Sequence, residues 1–146
     1  MPAANPVDAT VFDLKIDSAS NPVAGAEVIY TVPANARVEV LYAEVLFTAL
    51  VAVANRYVFV KAERNTIEYV QTACTIAQIL GDSFSYHFVA GLPEEVDARH
   101  SNRILVPLNA PLILEPADTL RIDAFNLGAN DTFVNCRVRF KQWIIA

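Results

Sequence analysis

Two histidines, each with serines close by in the sequence, are the residues that could supply a general base and a nucleophile. His87 follows Ser83 and Ser85 at alternate positions, and His100 immediately precedes Ser101. Histidine is the commonest general base, but none of these serines lies in a Gly-x-Ser-x-Gly elbow or a comparable signature. We therefore interpret both histidines as ordinary surface residues and predict that the protein is not an enzyme.

The acidic residues Glu94, Glu95 and Asp97 could bind a metal, because carboxylates on a loop are calcium ligands. They lie in the polar segment Gly91–Asn102, which we interpret as the longest loop. Their spacing lacks the alternating oxygen ligands and the distal glutamate of an EF-hand, so the sequence predicts a solvated acidic loop. Paired carboxylates of a glycosidase depend on the fold and stay open, although no feature of the sequence favours them.

Cys74 and Cys136 each lie within an apolar run, where free cysteine behaves as a small hydrophobe. Two cysteines without neighbouring histidines complete no common zinc pattern. The sequence therefore predicts two buried thiols, with no disulfide, no metal and no cofactor.

Trp143 and five tyrosines could form a platform for a sugar, because aromatic rings offer flat amphipathic surfaces. The tyrosines are scattered through apolar runs, at Tyr30, Tyr42, Tyr57, Tyr69 and Tyr86. We expect these rings to pack in the core or in an interface.

Arg137, Arg139 and Lys141 occupy alternate positions of the last segment and would lie on one face of a strand. A solvated face is one interpretation. In an acidic protein, a local basic stripe could instead dock an acidic neighbour. The sequence leaves both open and makes these three residues the candidate partner-contact surface.

Alternating apolar and polar residues predict that β-strands position these side chains. In the segment Thr119–Asn126 the predicted buried face consists of Leu120, Ile122 and Ala124. In the segment Thr132–Ile145 it consists of Val134, Cys136, Val138, Phe140 and Ile144. About eight to ten such short strands predict an all-β fold, a single-domain antiparallel β-sandwich at residues 11–146 that follows an extended N-terminal arm at residues 1–10.

The longest apolar stretch, Val38–Ala54, carries Glu39 and Glu44, so we reject a membrane span.

At Glu115–Asp118 we predict a type I turn led by proline, because Ala117 is not a residue that favours positive φ.

Composition limits the class of protein. The 146 residues are 54% hydrophobic and 18% charged, against about 45–50% and about 25% in ordinary soluble domains. The excess of apolar residues predicts a homo-oligomer. A net charge of −5 argues against direct binding to nucleic acid, and the N-terminal residues lack the features of a signal peptide, so we expect synthesis in the cytoplasm.

Four phrases resemble small jelly-roll virion proteins of tailed bacteriophages, the class that includes capsid decoration or cement proteins. The phrases are Tyr30–Asn35, Asn55–Val60, Leu114–Ile122 and Arg137–Trp143, and the resemblance covers most of residues 26–146. It implies a jelly-roll-like fold and a non-enzymatic protein on the capsid exterior of a virion. Such a protein binds the major capsid protein of the assembled shell and stabilises the shell by bridging neighbouring capsomers, with a trimer favoured over a dimer.

Two other classes stay open. A receptor- or glycan-binding jelly-roll head of a tail fibre would share the architecture, and an exposed aromatic cluster in a groove would favour it. A sandwich enzyme would need two convergent carboxylates in a cleft.

Overall fold

The computed structural model describes residues 10–15, 21–50, 54–79, 81–91, 98–108 and 111–144, with the backbone alone at 10–15 and 98–100. Within these ranges the regular secondary structure is entirely β, and no helix there is long and apolar enough to cross a membrane. The strands are β1 (Thr10–Lys15), β2 (Val28–Thr31), β3 (Ala36–Thr48), β4 (Tyr57–Arg64), β5 (Ile67–Ala73), β6 (Ser83–Ala90), β7 (Ala98–His100), β8 (Arg103–Leu108), β9 (Leu112–Leu114), β10 (Thr119–Phe125) and β11 (Thr132–Ile144).

The strands form two sheets that pack against each other, which confirms the predicted all-β sandwich. The larger sheet has the order β1-β11-β3-β6-β8-β7, with β9 also paired to β3, and the smaller sheet has the order β2-β10-β4-β5. Among the described strands every pairing is antiparallel except β6 with β8, which is parallel. The jelly-roll connectivity stays a prediction. Of the predicted N-terminal arm, residues 1–9 lie outside the described part of the chain, and Thr10 begins β1.

The core lies between the two sheets. Leu120, Ile122 and Ala124 of β10 are buried, as their alternation predicts. The ring of Tyr30 on the smaller sheet stacks on Phe140 of the larger sheet, with 5.7 Å between the centroids. A fully buried leucine, isoleucine or phenylalanine side chain contributes about 1.5–3 kcal/mol to the free energy of folding relative to leaving it exposed. The inward faces therefore hold the sandwich together.

The predicted buried face of β11 is wrong at two positions. Val134 is only partly buried and Ile144 is exposed, whereas Phe133 is fully buried. For Val134 and Phe133 the reason is a β-bulge between Val134 and Arg137, where β11 has one residue more than β3, whereas Ile144 is exposed at the last residue of the strand. Asn135 takes up the extra residue with a φ of 55°, so the inward positions change parity there.

A second bulge lies in the partner strand. Arg139 pairs with Tyr42 and Phe140 pairs with Val40, so Leu41 is the extra residue of β3. Leu41 and Tyr42 are both partly exposed, while the residues on either side of them are buried. The two bulges cancel, and the ladder has the same register at both ends.

The predicted type I turn at Glu115–Asp118 is also wrong. Ala117 has a φ of 68° at the third position of the turn, which is the φ of a type II turn. The Asp118 amide donates to the Glu115 carbonyl at 3.0 Å, and the Asp118 carboxylate accepts from the Glu115 amide at 2.9 Å. These bonds hold a conformation that alanine alone disfavours.

The predictions for the two cysteines and for the longest loop have different outcomes. Cys74 and Cys136 are free and buried, which confirms the predicted thiols. The predicted loop Gly91–Asn102 is interrupted, because Ala98–His100 forms β7. The acidic residues of that segment lie outside the described part of the chain.

Candidate partner-binding groove on the larger sheet

An open groove of about 450 Å³ lies on the outer face of the larger sheet. Its lining residues are Leu41, Tyr42, Val89, Arg137 and Arg139. The structure thus brings together two of the three basic residues that the sequence singled out. Lys141 lies on the same strand but is not among the lining residues, and its ammonium group is 3.7 Å from the Glu39 carboxylate.

The pairing of three strands builds the groove. Arg139 on β11 lies opposite Tyr42 on β3, which in turn lies opposite Val89 on β6. The bulge in β3 adds Leu41 to the same face. A β-bulge commonly re-aims a side chain next to a functional site, and here it turns two consecutive side chains outward.

A chain of hydrogen bonds on the same face of the sheet holds the Tyr42 hydroxyl in place. The Tyr42 hydroxyl donates to the Glu44 carboxylate and also contacts Nδ1 of His87. Nε2 of His87 is 3.0 Å from the Ser85 hydroxyl. Because the Tyr42 proton goes to Glu44, we assign the proton of the neutral ring to Nδ1 and let Nε2 accept from Ser85.

The electrostatics agree with this assignment. Burial raises the pKa of Tyr42, and the hydrogen bond and charge of Glu44 raise it further, so the phenol keeps its proton at neutral pH. Burial lowers the pKa of His87 below its ordinary value, and the charge of Arg103 lowers it too, against the opposing effect of Glu44. At pH 7 the imidazole is therefore neutral and can accept from a hydroxyl.

The expectation that His87 is an ordinary surface histidine is wrong. Its side chain is only 15% exposed, and it lies opposite Glu44 in the ladder of β3 and β6. The sequence could not show this contact, because the two positions are 43 apart in the numbering and strand pairing is a property of the fold. The alternation of Ser85 and His87 was the one visible signal.

Serine, histidine and glutamate occur here in the order of a nucleophile, a base and an orienting acid. Acyl transfer also needs donors aimed at the developing oxyanion. The backbone amide of Ser85 donates to the Asn102 carbonyl at 2.8 Å, so it is engaged in the fold. What the structure shows is that the chain of contacts through His87 and Glu44 holds the Tyr42 hydroxyl in place.

Three arginines lie in or near the groove. Nη1 of Arg137 is 3.6 Å from Oε1 of Glu44, and Glu44 lies opposite Arg137 in the ladder. Arg139 lines the same groove, and Arg103 acts electrostatically on Tyr42 from β8. Arg137 therefore contacts Glu44, and Arg139 lies between Tyr42 of β3 and Asp13 of β1 in the sheet, in a protein whose net charge is −5.

The other candidate residues lie elsewhere. Tyr86 is buried and donates to Gln78 at 2.7 Å, and Tyr69 donates to Asp118 at 2.9 Å. Tyr42 is the one tyrosine that lines the groove. Within the part of the chain that the structure describes, no three His, Cys, Asp or Glu side chains converge on a point where a metal could bind.

The chain matches no protein-family model, no curated protein and no solved structure. The side chains that line the groove are two guanidinium groups, a phenol and two aliphatic groups. The partly buried carboxylate of Glu44 lies beside them on the same face.

Proposed function

We propose that the protein is a non-enzymatic structural protein of a virion, a decoration or cement protein that binds the assembled capsid shell and bridges neighbouring capsomers. The four sequence phrases that resemble phage virion proteins support the proposal. The observation that carries it is the basic groove on an otherwise acidic sandwich, which offers a docking face for an acidic neighbour.

The physical properties of the groove suit docking. Arginine and tyrosine are enriched among the residues that contribute most binding energy in protein interfaces. The groove residues lie on paired strands rather than on a loop, so little conformational entropy is lost when a partner binds. Complementary charge speeds the encounter with an acidic surface and orients it.

The proposal includes a homo-oligomer, with a trimer favoured over a dimer. Large apolar side chains are exposed on both sheets and in the loops, among them Val23, Ile29, Ile67, Ile79, Leu105 and Phe125. Association with further copies of the chain would remove such side chains from water. Light scattering at micromolar concentration tests this part, and a strictly monomeric protein would contradict it.

Cosedimentation with capsids tests the docking role. Capsids of the encoding virus, assembled without this protein, are mixed with the parent chain, with Arg139→Gln and with Lys141→Gln. The two variants lose the same charge on the same face of one strand, but only the first changes the groove. We expect Arg139→Gln to bind about tenfold more weakly and Lys141→Gln to bind like the parent. Equal binding by all three would overturn the groove as the docking surface.

A second candidate function is the receptor- or glycan-binding head of a tail fibre. The groove favours it in one respect, since a tyrosine ring beside two arginines suits an acidic sugar. One ring is less than the aromatic cluster that sugar platforms use. A glycan array would decide for it if acidic oligosaccharides bound and capsids did not.

A further inference from the structure

We infer that the groove recognises an extended acidic segment of a protein partner, in which two carboxylates two residues apart pair with Arg137 and Arg139. The inference deepens the proposed function and rests on it, because it specifies the chemistry that the neighbouring capsid subunit presents. The juxtaposition that carries it is a pair of arginines at alternate strand positions beside a wall formed by Leu41, Tyr42 and Val89.

Guanidinium chemistry selects the ligand class. A guanidinium group presents its N–H donors in a planar fork that matches a carboxylate in a bidentate geometry. A long polyanion such as nucleic acid would extend beyond the groove and be repelled by the rest of the protein, whose net charge is −5. A short segment with two carboxylates is small enough to contact the groove alone.

Strand geometry selects the spacing. Arg137 and Arg139 lie on one face of β11 with a single inward residue, Val138, between them. Two strand residues advance about 6.6–6.8 Å, and an extended partner segment repeats the same distance between its alternate side chains. Carboxylates at positions i and i+2 of the partner therefore match the arginines, and adjacent carboxylates point to opposite sides.

The groove is organised before the partner binds. Glu44 contacts Arg137, and Glu44 also accepts from the Tyr42 hydroxyl. His87 contacts both Tyr42 and Glu44 from the next strand. The orientation of Arg137 and of the tyrosine ring is thus set by the sheet, which lowers the entropic cost of binding.

The wall of the groove favours a peptide over a sugar. Leu41 and Val89 flank a single aromatic ring, so the apolar contact is mostly aliphatic. Such a wall suits the methylene groups of acidic side chains and excludes water from the ion pairs, which strengthens them. A sugar ring gains most from stacking on a broad aromatic surface.

Peptide titration monitored by nuclear magnetic resonance tests the inference. The ¹⁵N-labelled full chain is titrated with three blocked peptides of equal length. One carries Glu-Ser-Glu, one carries Glu-Glu-Ser and one carries Gln-Ser-Gln in a glycine background. We expect the alternate-carboxylate peptide to bind at least about tenfold more tightly than either of the others. Its shift changes should centre on Tyr42, Val89, Arg137 and Arg139.

Two variants locate the binding. Arg139→Gln should lose at least about tenfold in affinity for the alternate-carboxylate peptide, while Lys141→Gln should bind it like the parent. Melting temperatures near that of the parent show that both variants are folded. If Lys141→Gln loses as much as Arg139→Gln, the binding is a general effect of charge and the inference is wrong.

The remaining outcomes separate the inference from the proposed function. Equal affinity for all three peptides, or tighter binding of a polyuronate oligosaccharide, overturns the inference even if capsids bind through the groove. Selective binding of the alternate-carboxylate peptide supports the inference. If capsids nevertheless bind Arg139→Gln as well as the parent, only the proposed docking role on capsids is contradicted.

Discussion

Arg56 and Asp131 form an ion pair at 2.9 Å in which neither side chain is exposed. The Asp131 carboxylate also accepts from the amides of Leu50 and Gly128, and Arg56 donates to the Ala54 carbonyl. A buried pair is tolerated only when such additional hydrogen bonds satisfy both partners. The pair therefore joins two connections between strands, the one from β3 to β4 and the one from β10 to β11.

Asp131→Asn should be strongly destabilising. The substitution keeps the shape of the side chain but removes the carboxylate charge that pairs with the buried Arg56, and breaking a buried pair in this way costs about 3–5 kcal/mol. Denaturant unfolding measures the loss. The matched control is Glu115→Gln in the partly exposed pair with Arg37, where we expect a loss of at most about 1 kcal/mol. Similar losses in both variants would show that the Arg56 pair is not special.

Ala117→Gly should stabilise the protein. The φ of 68° at this position costs an alanine about 1–2 kcal/mol, and glycine removes that cost but adds about 0.5–1 kcal/mol of unfolded-state entropy. The net gain should be roughly 0.5–1 kcal/mol in the free energy of unfolding. Ala90→Gly, at a position without positive φ, should instead lose about 0.5–1 kcal/mol. The prediction fails if both substitutions are destabilising.

His87 should make stability fall below pH 6.5. Burial lowers the pKa of His87 in the folded protein below its ordinary value of 6.5, so the unfolded chain binds the proton more readily between the two pKa values. Stability is therefore complete above pH 6.5 and decreases as the pH falls towards the folded-state pKa. Unfolding measured from pH 8 to pH 5 should show this slope for the parent and a reduced slope for His87→Gln. A ring titration by nuclear magnetic resonance with a pKa above 6.5 would contradict the reasoning.

Cys136 should contribute through packing alone. The thiol is buried and free, and burial raises its pKa to about 12. Cys136→Ser should lose about 1–3 kcal/mol because it buries a hydroxyl, while Cys136→Ala and Cys136→Val should lose less. Thermal melts of the parent with and without reductant should coincide. A lower melting temperature in reductant would instead indicate a disulfide.

The sequence predicted the sandwich well where alternation is regular. In β10 the period of two runs unbroken, so its buried face could be predicted residue by residue. In β11 the inward residues Phe133 and Cys136 are three positions apart, and in β3 Val40 and Ala43 are also three apart. Those spacings were the sequence signal of the two bulges.

Non-local contacts could not be predicted in the same way. The basic stripe was visible because its members alternate within one strand. The link between Tyr42, Glu44 and His87 depends on which strands are neighbours and in which register, and local alternation carries neither. Ala117 shows a related limit. The Asp118 carboxylate holds the turn and itself accepts from Arg64 on the neighbouring strand β4, so distant residues stabilise a backbone conformation that alanine disfavours.

The two bulges also bear on how this protein could vary in length during evolution. Removing Leu41 or Asn135 alone would convert its bulge into a regular ladder and leave every inward side chain facing inward, because each is the one extra residue at its position. We therefore expect homologous chains to carry single-residue gaps at these two places while keeping the same core. A gap at Asn135 would leave the groove lining intact, whereas a gap at Leu41 would remove part of its apolar wall, so ligand preference could diverge while the scaffold stays constant.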